Sequence, residues 1–316
     1  MRPISDDLLR RPFHRAEALA AGITPRVLEG VRFVRIHQGV YRHRDHVMSF
    51  DDNLAAARLA LPGHAHPTGV TRLQMLGLDI GSRTPVRFVV QGDLHLALDG
   101  VFLHRTVKLP PVDDAGVTPM AAFVAYAHRA TTIDAIAVGD WLIHRGHVDA
   151  DDLRTFVLAE EWRDGAPEAA WVLEHLAPDA RSMPESKVRA MIEFAGLPSP
   201  APNGAIRLGD ATVHGDLWYP AYRFVVEYEG EQHQLDRGQY VSDIDRYALY
   251  RRHGVRYTQA TKELMGTPRS LVRRIHEGLV EGGYDGPPPD FGPTWEMLFA
   301  RLAHVVPRRR RFRSVS

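Results

Sequence analysis

Residues 216–233 read Asp216-Leu-Trp-Tyr-Pro-Ala-Tyr-Arg-Phe-Val-Val-Glu227-Tyr-Glu229-Gly-Glu-Gln-His233. From Tyr222 the run is apolar and rich in aromatic and β-branched residues, the pattern of a buried strand. Side chains alternate along a strand, so Val225, Glu227 and Glu229 share one face while Phe224, Val226 and Tyr228 take the other. Two carboxylates crowding one face at the end of an apolar strand are costly unless solvated, protonated or bridged by a cation. Asp216 precedes the turn at Tyr219-Pro-Ala, and a hairpin about that turn brings it towards Glu227 and Glu229. Three carboxylates near backbone carbonyls make an oxygen-rich site suited to Mg²⁺ or Mn²⁺. A metal so held lowers the pKa of bound water and neutralises charge at a phosphorus centre, which is what phosphodiester hydrolysis requires.

Outward from this strand, Pro184 to Gly196 predicts an amphipathic helix with Val188, Met191, Ile192 and Ala195 on one face. Ala205–Leu208 and Thr212–Leu217 read as strands. Downstream, Gly230 lets the chain leave the strand, and His233 is a candidate general acid–base because an imidazole titrates near ~6.5. The helix expected over 236–252 carries Tyr240, Ile244, Tyr247 and Ala248 inward and Arg246, Arg251 and Arg252 elsewhere; a strand over 255–260 and a short helix follow. Helix, three strands, helix, strand is the order of the restriction-endonuclease-like core.

The N-terminal residues read as helix, turn, helix and hairpin. Phe13, Ala16, Leu19 and Ala20 recur at helical spacing up to Gly22, Thr24 and Pro25 restart a helix, and Phe33 to Arg42 alternates around Gln38-Gly39. This is the outline of a winged helix, with Arg26, Arg32, Arg35, Arg42 and Arg44 as its positive charge; it serves DNA docking or, equally, packing and protein contact. Strands near 86–90 and 94–103 and several helices between 121 and 176 predict a mixed middle domain. After a Gly/Pro-rich stretch from Gly282, a last helix leads to Arg308-Arg-Arg-Arg-Phe-Arg313, a solvated basic tail in which Arg308, Arg309 and their neighbours can clamp phosphate or, equally, only keep the chain soluble. The expected organisation is a multidomain α/β and α+β chain, with 1–80 winged helix, 81–180 mixed α/β, 181–281 restriction-endonuclease-like and 282–316 final helix and tail.

Composition narrows the chemistry. The chain has 316 residues with 39 Lys plus Arg against 39 Asp plus Glu, which excludes a uniformly basic nucleic-acid coat but not local patches. Only three cations are lysines, so arginine dominates any phosphate contact. With no cysteine, disulfides, thiol catalysis and Cys-type metal sites are out, and the chemistry must run on oxygen and imidazole. No apolar run is long enough for a membrane span and the first residues lack a signal-peptide core, so the expectation is a soluble, cytoplasmic protein. The 17 histidines, including His64/His66 and His144/His147, are assigned no cofactor.

Two resemblances extend this reading. The runs F-x-R-A-E-A-L-A-A-G from Phe13 and R-F-x-R-I-x-x-G-V-Y-R from Arg32 resemble the N-terminal domain of AbiEi-type antitoxins, over about fifty residues. That resemblance implies a DNA-binding winged helix. The E-x-E-G-x-x-H motif from Glu227, Asp216 eleven residues before it, Y-x-x-D-x-x-R from Tyr240 and G-V-R-Y-T from Gly254 resemble the domain of unknown function 559 family. That family is related to very-short-patch-repair endonucleases in the PD-(D/E)xK superfamily. Over about eighty residues the resemblance implies Asp216 and Glu227 as metal ligands and Glu229 in the place of the superfamily lysine. It also implies Glu185 as a first-helix glutamate for a second metal or water, and Gln232 with His233 as the polar pair after the strand. Relatives carry Asp where Glu229 stands, and only Lys187 or Lys262 could replace the missing lysine. Two functions stay open: a Mg²⁺- or Mn²⁺-dependent DNA endonuclease, or a non-catalytic DNA-binding regulator on a decayed nuclease scaffold. The partner besides DNA would be a toxin in the second case and a repair or modification protein in the first.

Overall fold

His14 decides where the first long helical segment begins. The computed structural model describes residues 5–229 and 246–307, and the chain divides into two compact units, 1–125 and 126–316. In the first unit, α1 (Asp6–Leu9) is followed by β1 (Phe13–His14), α2 (Arg15–Ala20) and α3 (Pro25–Leu28). The His14 ring accepts a hydrogen bond from Ala16 N at 3.2 Å, so the helix starts at Arg15. Phe13, expected on that helix, instead pairs with Tyr41 in a three-stranded sheet. The hairpin of β2 (Phe33–His37) and β3 (Val40–His43) turns through Gly39, whose φ of 76° favours glycine, and the strand order is β1-β3-β2. Leu8, Phe13, Ala18, Ile23, Leu28, Phe33 and Tyr41 form the core beneath the helices, with Phe13 edge-on to Phe33 at 5.6 Å.

The rest of this unit packs α4 (Phe50–Ala60), opened by a Ser49/Asp52 capping box, on a second sheet of order β4-β5-β6. Its strands are β4 (His66–Pro67), β5 (Val86–Gln91) and β6 (Val101–Thr106), with α5 (Gly69–Met75) between the first two. The second expected strand begins at 101 rather than 94, because Asp99-Gly100 makes a turn closed by a Leu98–Val101 bridge, with Gly100 at φ 70°. α6 (Pro119–Ala127) follows.

In the second unit α7 (Thr132–His144), α8 (Ala150–Ala159), α9 (Ala166–Leu173) and α10 (Met183–Phe194) form a helical layer, which contains the boundary expected near 180. α10 buries Val188, Met191 and Ile192, as its periodicity predicts, and packs on α7. Between these helices Arg189, 4% exposed, donates to Asp140 at 3.0 Å and to the His175 carbonyl at 2.7 Å. An antiparallel meander follows: β7 (Ala201–Leu208), β8 (Ala211–Tyr219) and β9 (Phe224–Glu229). The 3₁₀ turn Pro220–Tyr222 and Arg223, at φ 46°, reverse the chain between the last two. β7 starts four residues earlier than expected. Pro202 is tolerated there because β7 is an edge strand, and Gly204 is needed because a Cβ would lie 2.7 Å from Trp218 Cβ.

After α11 (246–252), β10 (Arg256–Thr261) runs parallel to β9, giving the order β10-β9-β8-β7. The crossover places α11 beside the sheet, where Tyr250 joins Ile206, Leu208, Trp218, Val225 and Val255 in the core. Then come α12 (Lys262–Met265), α13 (Pro268–Glu281), α14 (Pro293–Phe299) and α15 (Leu302–Val305). α13 buries Leu271, Val272, Ile275 and Leu279 and packs against β9 and β10. The chain is thus mixed α/β with several small sheets. No helix among the described residues is long and apolar enough to cross a membrane.

Candidate functional site

The antiparallel register sets Leu217 against Val226 and Trp218 against Val225, so the next residues out along the two strands are Asp216 and Glu227. They are linked through the backbone: Asp216 Oδ2 accepts a hydrogen bond from Tyr228 N at 2.8 Å. Gly215 keeps this end of the hairpin open, since a Cβ there would fall 2.4 Å from Val225 Cγ2 and 3.6 Å from Glu227 Oε1.

Glu227 is 1% exposed. Burial pushes its carboxyl up to about 8, and the neighbouring Asp216 charge adds to the rise; Arg246, the Tyr250 hydroxyl and the Asp216 backbone oppose it. Tyr250 Oη donates to Glu227 Oε1 at 2.7 Å. The other oxygen, Oε2, is buried, accepts no hydrogen bond among the described residues, and faces Arg246 Nη2 at 3.5 Å.

Glu185 lies at the start of α10 and is 8% exposed. Its Oε1 accepts from Ser182 Oγ at 2.7 Å and its Oε2 from Arg181 N at 3.1 Å, while Ser182 Oγ accepts from Glu185 N. This reciprocal cap explains the residue locally. Its carboxyl is pushed up to about 6, first by burial and then by Asp216, so Glu185 and Glu227 each feel the Asp216 charge.

Glu229 is half-buried and stands in register with Thr261 of β10. Lys187 is engaged elsewhere, 2.8 Å from Asp134, and Lys262 opens α12 just past β10. His233 and Gln232, expected to flank the strand end, lie outside the described residues, as do Arg308 and Arg309. Among the described residues no three His, Asp or Glu side chains are grouped closely enough to hold a metal ion, so Asp216, Glu227 and Glu229 do not make such a group. The pair Asp216 and Glu227 still suits a hard cation: two oxygen donors repel each other, and the buried Oε2 of Glu227 has no hydrogen bond to satisfy it.

Sequence reasoning missed Tyr250 on α11 and the direction of Arg246, which it had only as the last residue of the Y-x-x-D-x-x-R motif. Arg246, expected to point elsewhere, faces Glu227, and Tyr250 is fully buried, whereas Ala248, expected inward, is exposed. Positions 246 and 250 are one helical turn apart and so meet the same partner. That i, i+4 spacing of a cation and a phenol, following a carboxylate strand, was the available signal.

In the first unit Arg26, Arg32 and Arg35 are exposed. Arg42 is tied down instead, its Nη1 donating to the carbonyls of His43, Arg44 and His46 at 3.1, 2.8 and 2.7 Å. No family model, curated protein sequence or solved structure matches the chain.

Proposed function

We propose that the chain is a metal-dependent DNA endonuclease whose acidic centre is Asp216 and Glu227, with Glu185 and Glu229 beside it. The observation that carries this reading is the buried Glu227 carboxyl, with one oxygen bonded to Tyr250 and the other lacking a hydrogen bond among the described residues, next to Asp216 on the adjoining strand. Burying a carboxylate costs on the order of several kcal/mol unless a cation or proton compensates, and a divalent cation between the two acids would supply that compensation. The element order α10, β7–β9, α11, β10, with β10 parallel to β9, is consistent with a restriction-endonuclease-like core.

Asp216 and Glu227 would hold Mg²⁺ or Mn²⁺, which when bound supplies an activated water and charge neutralisation at the phosphate. Tyr250 fixes the Glu227 rotamer through its hydroxyl. In the first unit, α2, α3 and the β2–β3 hairpin support a winged-helix reading, in which Arg26, Arg32 and Arg35 bind DNA phosphates through forked guanidinium contacts.

Arg246 favours a second reading. A guanidinium facing Glu227, and the lack of a three-ligand group among the described residues, suit a DNA-binding regulator of the AbiEi type, whose partner would be a toxin, on a decayed nuclease scaffold. The full chain incubated with duplex, nicked, mismatched and single-stranded DNA in Mg²⁺ or Mn²⁺ separates the two. The nuclease reading expects cleavage that Asp216→Ala and Glu227→Ala abolish while DNA binding persists; DNA binding without cleavage of any substrate supports the regulator.

A further inference from the structure

Glu227 is a buried carboxyl group with two unlike neighbours. Tyr250 Oη occupies Oε1 at 2.7 Å, while Oε2 accepts no hydrogen bond among the described residues and faces the Arg246 guanidinium, Nη2 at 3.5 Å. The two sides of this contact differ in mobility. Glu227 is 1% exposed and fixed on a central strand, whereas the Arg246 side chain is 29% exposed and reaches in from α11, its guanidinium 5.7 Å from the Tyr247 ring centroid. One partner of the ion pair is therefore buried, and the other, though its Nε is buried, keeps part of its side chain at the surface.

We propose that Arg246 is the resident counter-ion of the Asp216–Glu227 pair and that a divalent cation binds there by displacing it. This rests on the nuclease reading of that pair. The argument is one of charge. A buried carboxyl beside a second carboxylate is compensated by a proton or by positive charge nearby, and among the described residues the charge facing Glu227 Oε2 is Arg246. A divalent cation and a guanidinium seeking the same oxygen repel each other, so the metal takes Oε2 only as Arg246 swings out along its exposed side. Arg246 is thereby a gate: it keeps the acidic pair neutralised in the metal-free protein and weakens metal binding. Once displaced it lies at the rim, a forked donor suited to a phosphate oxygen.

Mn²⁺ binding to the full chain, measured by calorimetry and by the electron paramagnetic resonance signal of free Mn²⁺, tests this without any turnover. Arg246→Gln should bind Mn²⁺ ~10-fold or more tightly than wild type, because a like charge has left the site. Arg246→Lys, which keeps the charge, should stay close to wild type, and adding Asp216→Asn to Arg246→Gln should abolish the gain. As a check that needs no folded variant, Mg²⁺ titrated into wild-type protein should shift the Arg246 side-chain Nε–Hε resonance. Equal or weaker Mn²⁺ binding by Arg246→Gln, or an unmoved Arg246 resonance at saturating Mg²⁺, overturns the gate. If wild-type binding is nevertheless lost in Asp216→Asn, the nuclease reading survives that failure. Absence of Mn²⁺ binding in every form overturns both.

Discussion

Tyr250 donates its hydroxyl to Glu227 Oε1 across 2.7 Å, and both side chains are buried, at 0% and 1% exposure. A helix residue twenty-three positions downstream thus holds the carboxylate on which the site turns. Their union joins the crossover helix α11 to the last strand of the meander, so it supports the fold at the proposed site.

Removing that hydroxyl leaves a buried oxygen unsatisfied. Tyr250→Phe is expected to destabilise the protein by ~1–3 kcal/mol in urea denaturation at neutral pH. A variant as stable as wild type would show that the bond contributes nothing.

Stability should fall as pH rises. Glu227 is pushed up to about 8 from its ordinary 4.5, and Glu185 to about 6. The folded protein therefore holds these protons more tightly than the unfolded chain. The contribution is fully present below pH 4.5 and is lost as pH rises through 6 for Glu185 and 8 for Glu227, at no more than about 1.4 kcal/mol per pH unit for each group. Denaturation midpoints measured from pH 5 to 9 should decline for wild type and stay flatter for Glu227→Gln. A steeper decline in the variant contradicts the assignment.

Gly278 lies inside α13, where helix propensity alone favours alanine by ~1 kcal/mol. A Cβ there would sit 2.5 Å from Phe224 Cε2, on the strand that carries Glu227. Overpacking of this kind costs ~1–3 kcal/mol, so Gly278→Ala should lower the thermal midpoint rather than raise it.

Arg32 and Arg35 are exposed while Arg42 braces the chain after the hairpin. Arg32→Ala and Arg35→Ala should each weaken DNA binding and reduce the slope of log affinity against log salt by ~1, whatever the DNA sequence. Arg42→Ala should instead lower stability. Unchanged slopes would remove the DNA role of this hairpin.

The sequence was most readable where a pattern is local. The apolar face of α10, the hairpin about Tyr219-Pro-Ala and the approach of Asp216 to Glu227 follow from periodicity and turn chemistry within a few residues. It was least readable where a distant partner decides. Pro202 and Gly204 disguise β7 as a turn, yet an edge position and the bulk of Trp218 make a strand of it. His14 ends a strand that helical spacing would have absorbed. The inward face of α11 brings Tyr250 to the core and, with Arg246, to Glu227, so the expected spacing misplaced Ala248. Lys187 was a candidate for the missing lysine until Asp134 claimed it.

Single-turnover cleavage of labelled DNA by the full chain in Mg²⁺, compared between wild type and Asp216→Asn, tests the central claim most directly. Asparagine keeps the shape and the acceptor for Tyr228 N but removes the charge. The expected result is cleavage by wild type, stopped by chelation, and a rate at least ~100-fold lower for Asp216→Asn at equal DNA binding, the scale on which losing one charge-stabilising group acts. Equal rates for the two proteins, or no cleavage by wild type on any DNA form, would contradict it.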